Sequence, residues 1–429
     1  MHFAKLLCLV TIGLFISFSG VAEIIGYTPC VNGFAGKFEC KNMNLLSRIP
    51  LDTQGIPGAK MGNDLWGWTD PETKREYVIM GLTNKASIVD VTDARNPKHV
   101  LDIPSAGNSS IWRDIKVYKN HAYIVSEAMG HGMQVVDLTQ LRALQNAKPE
   151  KLPKILSPIT VYSLFGSAHN IAINENSGFA YAVGTTTCDA GLHVVDIRNP
   201  VSPQFSTCVD KTIFEGVQTK TRPIRLLGAG DTYTHDVHCV NYHGPDLRYS
   251  GREICIASNS DSINIVDVTD KANPKQIAVT SYYGYGFTHQ GWLTDNHRYY
   301  LQGDELDEIR HSHNTKTYIY DFSDLENPRQ IGIHEYETKA VDHNIYINGN
   351  LAFAANYMSG LRVLDIHKIA EASLTEVAFF DFVPEQDPND EQDMYGAWSV
   401  YPFFASGTIA ISGMDSALYL VELDPKIAK

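Results

Sequence analysis

A unit of three apolar runs followed by an Asn-Pro turn recurs along this chain, and that recurrence restricts the fold more than any single motif. The clearest copy spans Tyr233 to Lys275. It opens with a His-rich run, Thr234 to Val240, and passes through a polar, Gly-containing turn to a second run, Glu253 to Ser258. A third run, Ser262 to Val268, alternates apolar and polar residues, ends in Val-Asp and leads through Thr-Asp into the turn. Val, Ile, Thr and Tyr crowd these runs, which favours strands. Seven such units are present. They begin at Asp64 (DLWGW, EYVIMG, ASIVDVTD), Ser110 (IWRDIKVY, AYIVSE, MQVVDLT), Ser167 (AHNIAI, FAYAVG, LHVVDIRNP), Thr234, Thr288 (THQGWL, RYYLQGDE, TYIYDFSD), Val341 (VDHNIYI, LAFAAN, LRVLDI) and Tyr395 (YGAWSVY, GTIAISG, ALYLVEL).

A fourth strand follows the Asn-Pro turn, as at His99 to Ile103, Gln276 to Ser281 and Gln330 to Tyr336. Four strands per unit, roughly fifty residues per unit and sevenfold repetition predict an all-β chain, a seven-bladed β-propeller of four-stranded antiparallel blades. The last unit ends too soon to hold its own outer strand. Phe38 to Ile49 is expected to supply it, closing the ring and leaving no open sheet edge. The organisation is then a leader at residues 1–22, followed by one propeller domain over residues 23–429. Residues 23–50 form its closing segment and residues 62–425 its blades. The one helical candidate is Leu138 to Lys148, in an insertion.

Met1 to Ala22 has the form of a secretory signal: Lys5, then an apolar stretch from Leu6 to Phe18, then small residues at Gly20 and Ala22. The expected location is therefore outside the cytoplasm: periplasmic, cell-surface or extracellular. No second apolar run has spanning length, so no transmembrane span is expected in the mature chain. Six Cys follow the leader and fall in local pairs: Cys30 with Cys40, Cys188 with Cys208, Cys239 with Cys255. Export makes disulfides the leading reading, although six Cys allow 15 connectivities. The formal charge of −14 argues against nucleic-acid binding, which needs clustered Lys and Arg.

Each third strand ends in an acid: Asp90, Asp137, Asp196, Asp267, Asp321, Asp365, and Glu422 in the last. A ring of ligands is one reading. Turn chemistry is the better one, because Asp before Thr, Arg or Ser accepts backbone N–H bonds two residues on.

The SIVDVTD, QVVDLT, HVVDIRNP and NIVDVTDKANP segments resemble the LVIVD repeat. With THDVH and the His-Asn pairs, the mature chain is similar to the choice-of-anchor B family of exported bacterial proteins. The resemblance implies a propeller-type fold and a surface or periplasmic location, and it specifies no activity.

One positional pattern points to chemistry. The innermost strands of four consecutive units begin with His: His169, His235, His289 and His343. Innermost strands line a propeller's channel in one direction, so these residues should form an arc at one mouth. Converging imidazoles suit a divalent metal such as Zn, Mn, Fe or Cu. Glu127, Asp304 and Glu305 end second strands and should face the same mouth. Asp236 and Asp342 stand beside His235 and His343, where they could orient the rings. The plainer reading makes the histidines repeat residues bonding neighbouring blades. Trp66, Trp112 and Tyr395 are expected to complete the mouth with aromatic rings. A second cluster, Gly303 to His313 (GDELDEIRHSH), reads as a solvated loop or a site for a cation such as Ca. The acidic run Asp387 to Asp393 reads as an exposed loop.

GxSxG, P-loop, HExxH and GxGxxG motifs are absent. Two function classes remain. One is an exported binding module for a protein, glycan or small-molecule ligand. The other is a metal-dependent hydrolase or oxidoreductase, with the four histidines holding the metal and Glu127, Asp304 or Glu305 as acid or base.

Overall fold

The computed structural model of the chain describes residues 26–52, 56–58, 61–148, 151–214, 233–383 and 393–427. The leader and all but the last residue of Asp387–Asp393 lie outside them. Seven four-stranded antiparallel meanders stand in a ring, one for each unit. Their innermost strands are Gly62–Thr69, Arg113–Tyr118, Asn170–Asn174, Thr234–Asn241, Thr288–Leu293, Ile345–Asn348 and Ala397–Tyr401. The expected seven-bladed propeller is thus what the chain forms.

Alternation makes each blade. In blade four, Val237 pairs with Ala257 and Cys239 with Cys255 across the first two strands. Ile256 then pairs with Ile265, and Ile265 with Ala278. The side chains leaving both faces of these strands are apolar, because each blade is sandwiched between two others. Between blades three and four the packed layer includes Tyr181, Val183, Val194, Val237, Ala257 and Val266, all buried.

The N-terminal segment closes the ring with a division the sequence did not announce. Met43–Pro50 pairs antiparallel with Ala417–Leu423 as the outer strand of blade seven. Phe38–Lys41 instead pairs with Thr375–Asp381 and extends blade six. Asn42, between them, adopts φ 53° and redirects the chain. One expected strand is therefore two, riveting adjacent blades. A second addition is Lys154–Ile155, which pairs parallel to Lys98–Pro104 on the edge of blade one. The insertion helix is a short 3-10 segment, Leu138–Leu144.

The third-strand acids are turn residues. Asp90, Asp137, Asp196, Asp267, Asp321 and Asp365 each accept the backbone N–H two positions on, at 2.8–3.1 Å. Glu422 departs from the pattern and accepts from Asn44 across the closing strand. All three local Cys pairs are disulfides: Cys30–Cys40, Cys188–Cys208 and Cys239–Cys255. Among the described residues no helix is long and apolar enough to cross a membrane.

Candidate functional site

At the start of each innermost strand, or one or two residues before it, stands Asn63, Arg113, His169, His235, His289, His343 or Trp398 in blade order. The four histidines are consecutive, so their rings form a continuous arc. Ring centroids lie 4.2 Å apart for His169 and His235, 4.0 Å for His235 and His289, and 4.3 Å for His289 and His343. Trp398 continues the arc at 4.7 Å from His343.

Three of the four Nδ1 atoms meet acceptors. His169 Nδ1 meets Glu127 Oε1 at 2.6 Å. His235 Nδ1 meets the His289 carbonyl at 3.2 Å, and His343 Nδ1 meets the Trp398 carbonyl at 2.5 Å. His289 repeats the arrangement more loosely. Its ring approaches the His343 carbonyl, but neither ring nitrogen reaches hydrogen-bond geometry. A proton on Nδ1 leaves the Nε2 lone pair free, the tautomer of an imidazole ready to bind metal.

Glu305 sits between two of these lone pairs. Its Oε2 is 3.6 Å from His289 Nε2 and its Oε1 is 3.7 Å from His343 Nε2. The Tyr357 hydroxyl donates to Oε1 at 2.8 Å and fixes the carboxyl. Ligand atoms of His235, His289 and Glu305 all lie within 4.8 Å of one another. A first-row metal with bonds of about 2.1 Å needs donor spacings of roughly 3–4 Å, so modest contraction completes the site.

Burial sets the charge states here. His235 and His289 are held well below the usual imidazole range by burial and by the neighbouring rings. Burial lowers His343 to about 3, against the opposing bond to the Trp398 carbonyl. Burial also raises Glu305 to about 7, against the Tyr357 bond. Burial thus favours neutral imidazoles at His235, His289 and His343 and pushes the Glu305 carboxyl toward its own neutral form.

Not every expected acid stands at this mouth. Glu127 and Glu305 do. Asp304 is turned away, and its carboxylate accepts from the Tyr282 hydroxyl at 2.6 Å and from the Gly286 and Phe287 N–H groups at 2.8 and 2.6 Å. Asp342 takes the Asp304 N–H at 3.1 Å and lies behind the arc. Asp236 lies one layer deeper, bonded to Asn170 Nδ2 at 3.1 Å. It does not orient His235.

The deeper layers were missed in the sequence, although the unit alignment contains them. The residue after each mouth position is Asp64, Asp114, Asn170, Asp236, Gln290, Asn344 or Ser399, a polar belt. It bonds blade to blade: Asp114 accepts the Ile171 N–H at 2.8 Å, and Gln290 the Ile345 N–H at 2.8 Å. Two positions further stand Trp66, Lys116, Ala172, His238, Trp292, Tyr346 and Tyr401, a largely aromatic ring around a cavity of about 420 Å³. Trp66 therefore belongs to the opposite end of the channel from the histidines. His238 packs against Trp292 there, with ring centroids 3.8 Å apart. Trp112 is exposed beside Arg113, and Tyr395 packs against the Val341, Tyr357 and Trp398 cluster.

The LVIVD repeat family matches residues 165–211, the whole of blade three. No curated protein matches. Among solved structures, the computationally designed Ika8 protein is similar over 94% of this chain and 96% of its own, at 8% identity and a TM-score of 0.48. The repeat match, set within a ring of seven like blades, supports an LVIVD-repeat β-propeller.

Proposed function

We propose that this propeller is an exported interaction module that holds a transition-metal ion at one channel mouth, and that its ligand completes the metal's coordination. His235, His289 and Glu305 form the core donor set, with His343 and His169 beside it. The carrying observation is the convergence of donors: ligand atoms of His235, His289 and Glu305 all lie within 4.8 Å of one another, and His235 Nδ1 meets the His289 carbonyl, which leaves its Nε2 free. Two imidazoles and one carboxylate suit Zn, Fe or Mn, and a three-ligand set leaves a position open for ligand. Three disulfides support the exported half of the reading.

A metal-dependent enzyme is the second reading, favoured by Glu127, which is one-third exposed while bonded to His169. Asp304 is no longer a candidate acid or base, because its oxygens serve Tyr282 and the Gly286–Phe287 backbone.

Metal analysis of the purified full chain, dialysed against each metal and freed of excess, tests the proposal. About one Zn, Fe or Mn per chain is expected. His289→Ala should reduce retention at least tenfold while leaving the far-ultraviolet circular dichroism unchanged. Wild-type protein that retains no metal, or a His289→Ala chain that retains it fully, contradicts the site.

A further inference from the structure

The far end of the channel, beyond the polar belt, holds a cavity of about 420 Å³ whose two halves differ in chemistry. Blades five, six, seven and one supply an aromatic wall: Trp292, Tyr346, Phe403, Tyr401 and Trp66. Successive ring centroids along it lie 5.0, 6.2, 5.3 and 5.2 Å apart. Tyr346 is buried, but the other four rings keep exposed surface. Blades two, three and four face them with Lys116, Asn174, Glu175, Asn176, Asp236 and Asn241. The volume falls within the roughly 300–1,000 Å³ of small-molecule sites, which combine apolar walls with a few placed polar groups.

The polar atoms around this space give a second, independent sign of a ligand. Gln290 lines the cavity and is only 3% exposed. Its Oε1 accepts the Ile345 N–H at 2.8 Å, while its Nε2 donates to no group among the described residues. Asn241 is alike: Oδ1 accepts from Asn174 Nδ2 at 2.8 Å, and Nδ2 donates to none of those residues. The indole N–H groups of Trp66 and Trp292 and the Tyr401 hydroxyl are uncommitted in the same sense. Polar groups in such places are normally hydrogen-bonded, so a set of idle donors on one cavity calls for a ligand rich in acceptors.

The charges present select the ligand's own charge. Lys116 Nζ lies 4.6 Å from the Trp66 ring centroid and 2.6 Å from Asp114 Oδ1, so the chain's own ammonium takes the cation–π position on that wall. Glu175 and Asp236 in the opposing wall disfavour an anion. A neutral ligand fits both facts. A hydroxyl has more acceptor than donor capacity, so a polyol suits idle donors and can give its own protons to Glu175. A sugar ring also carries a flat C–H face, which buries against the aromatic wall as other apolar surface does.

We propose that this cavity binds a neutral saccharide, its C–H face toward the aromatic wall and its hydroxyls on Gln290, Asn241 and Tyr401. The site lies at the opposite end of the channel from the histidines and does not rest on the metal reading.

The test passes the purified full chain over an array of neutral mono- and oligosaccharides, then titrates the binders by tryptophan fluorescence. At least one saccharide should bind saturably at about one per chain and change the emission. Trp292→Ala should weaken that binding at least tenfold. Tyr401→Phe removes one idle donor and keeps the ring, so it should weaken binding at least threefold. It also carries the test should Trp292→Ala fail to fold. His289→Ala should leave the affinity within twofold, which separates this site from the metal site. An array without a saturable binder overturns the proposal, as does binding that Tyr401→Phe and Trp292→Ala leave unchanged. Saturable binding of tetramethylammonium but of no saccharide overturns it equally and marks the cavity as a cation site.

Discussion

A chain lacking residues 23–50 should lose its cooperative thermal transition. That segment supplies the outer strand of blade seven and an added strand on blade six, so its removal exposes two sheet edges at once. Phe38, Met43, Leu45, Leu46 and Ile49 are all buried within it. At about 1.5–3 kcal/mol for each buried side chain, their burial alone is worth on the order of 10 kcal/mol. That matches the whole net stability of a typical fold, about 5–15 kcal/mol. Blade seven would keep only three strands, with the apolar Ala417–Leu423 strand at its open edge. Circular dichroism melts of the mature chain and the truncation decide the matter. A truncation that melts cooperatively within a few degrees of the intact chain contradicts ring closure by this segment.

The largest single-residue effect is expected at Glu253. This buried carboxylate joins blades three and four. Its Oε1 accepts from Asn174 Nδ2 at 2.8 Å, Ser177 Oγ at 2.6 Å and the Tyr181 hydroxyl at 2.5 Å. Its Oε2 pairs with Lys271 Nζ at 2.6 Å. Glu253→Ala strands three donors and a half-buried ammonium together, and removing one partner of a buried charged network costs about 3–5 kcal/mol. With an unfolding entropy of ~2.1 cal/mol/K per residue, that lowers Tm by roughly 4–6 °C if the ring unfolds as one unit. Glu253→Gln keeps the shape and an acceptor but leaves Lys271 unpaired, so it should lose less, about 1–3 kcal/mol. Equal, near-zero losses for both variants would show that the network adds nothing between the blades.

The fold was legible because its signals are local and repeated. Strand alternation, the terminal Asp and the Asn-Pro turn each recur in register, and each serves the same physical purpose in every blade. The Asp90 to Asp365 series illustrates this: one carboxylate capping one turn, six times. The histidine arc was legible for the same reason, since four aligned strand starts must face one mouth. What the sequence hid depends on side-chain direction. Asp304 ends its strand and Glu305 opens the turn that follows, so the two neighbours diverge. Glu305 therefore meets His289 and His343 while Asp304 turns to Tyr282 and the Gly286–Phe287 backbone. At His235 the strand register shifts, and Asp236 falls in the next layer down. Asp307 and Glu308 read as a solvated charged loop because nothing local announces burial. The short helix packed over Asp342 removes them from water. The break at Asn42 was equally hidden, because neither Gly nor Pro interrupts Phe38 to Ile49.

The central claim is that the channel-mouth histidines bind metal through Nε2 together with Glu305. X-ray absorption at the zinc edge, on full-length protein loaded with one equivalent of Zn²⁺, tests it most directly. The account predicts a first shell of nitrogen and oxygen at about 2.0–2.1 Å. It also predicts the outer-shell scattering of at least two imidazoles, reduced by one ring in His289→Ala. A first shell without imidazole scattering, or a spectrum unchanged by His289→Ala, would contradict it.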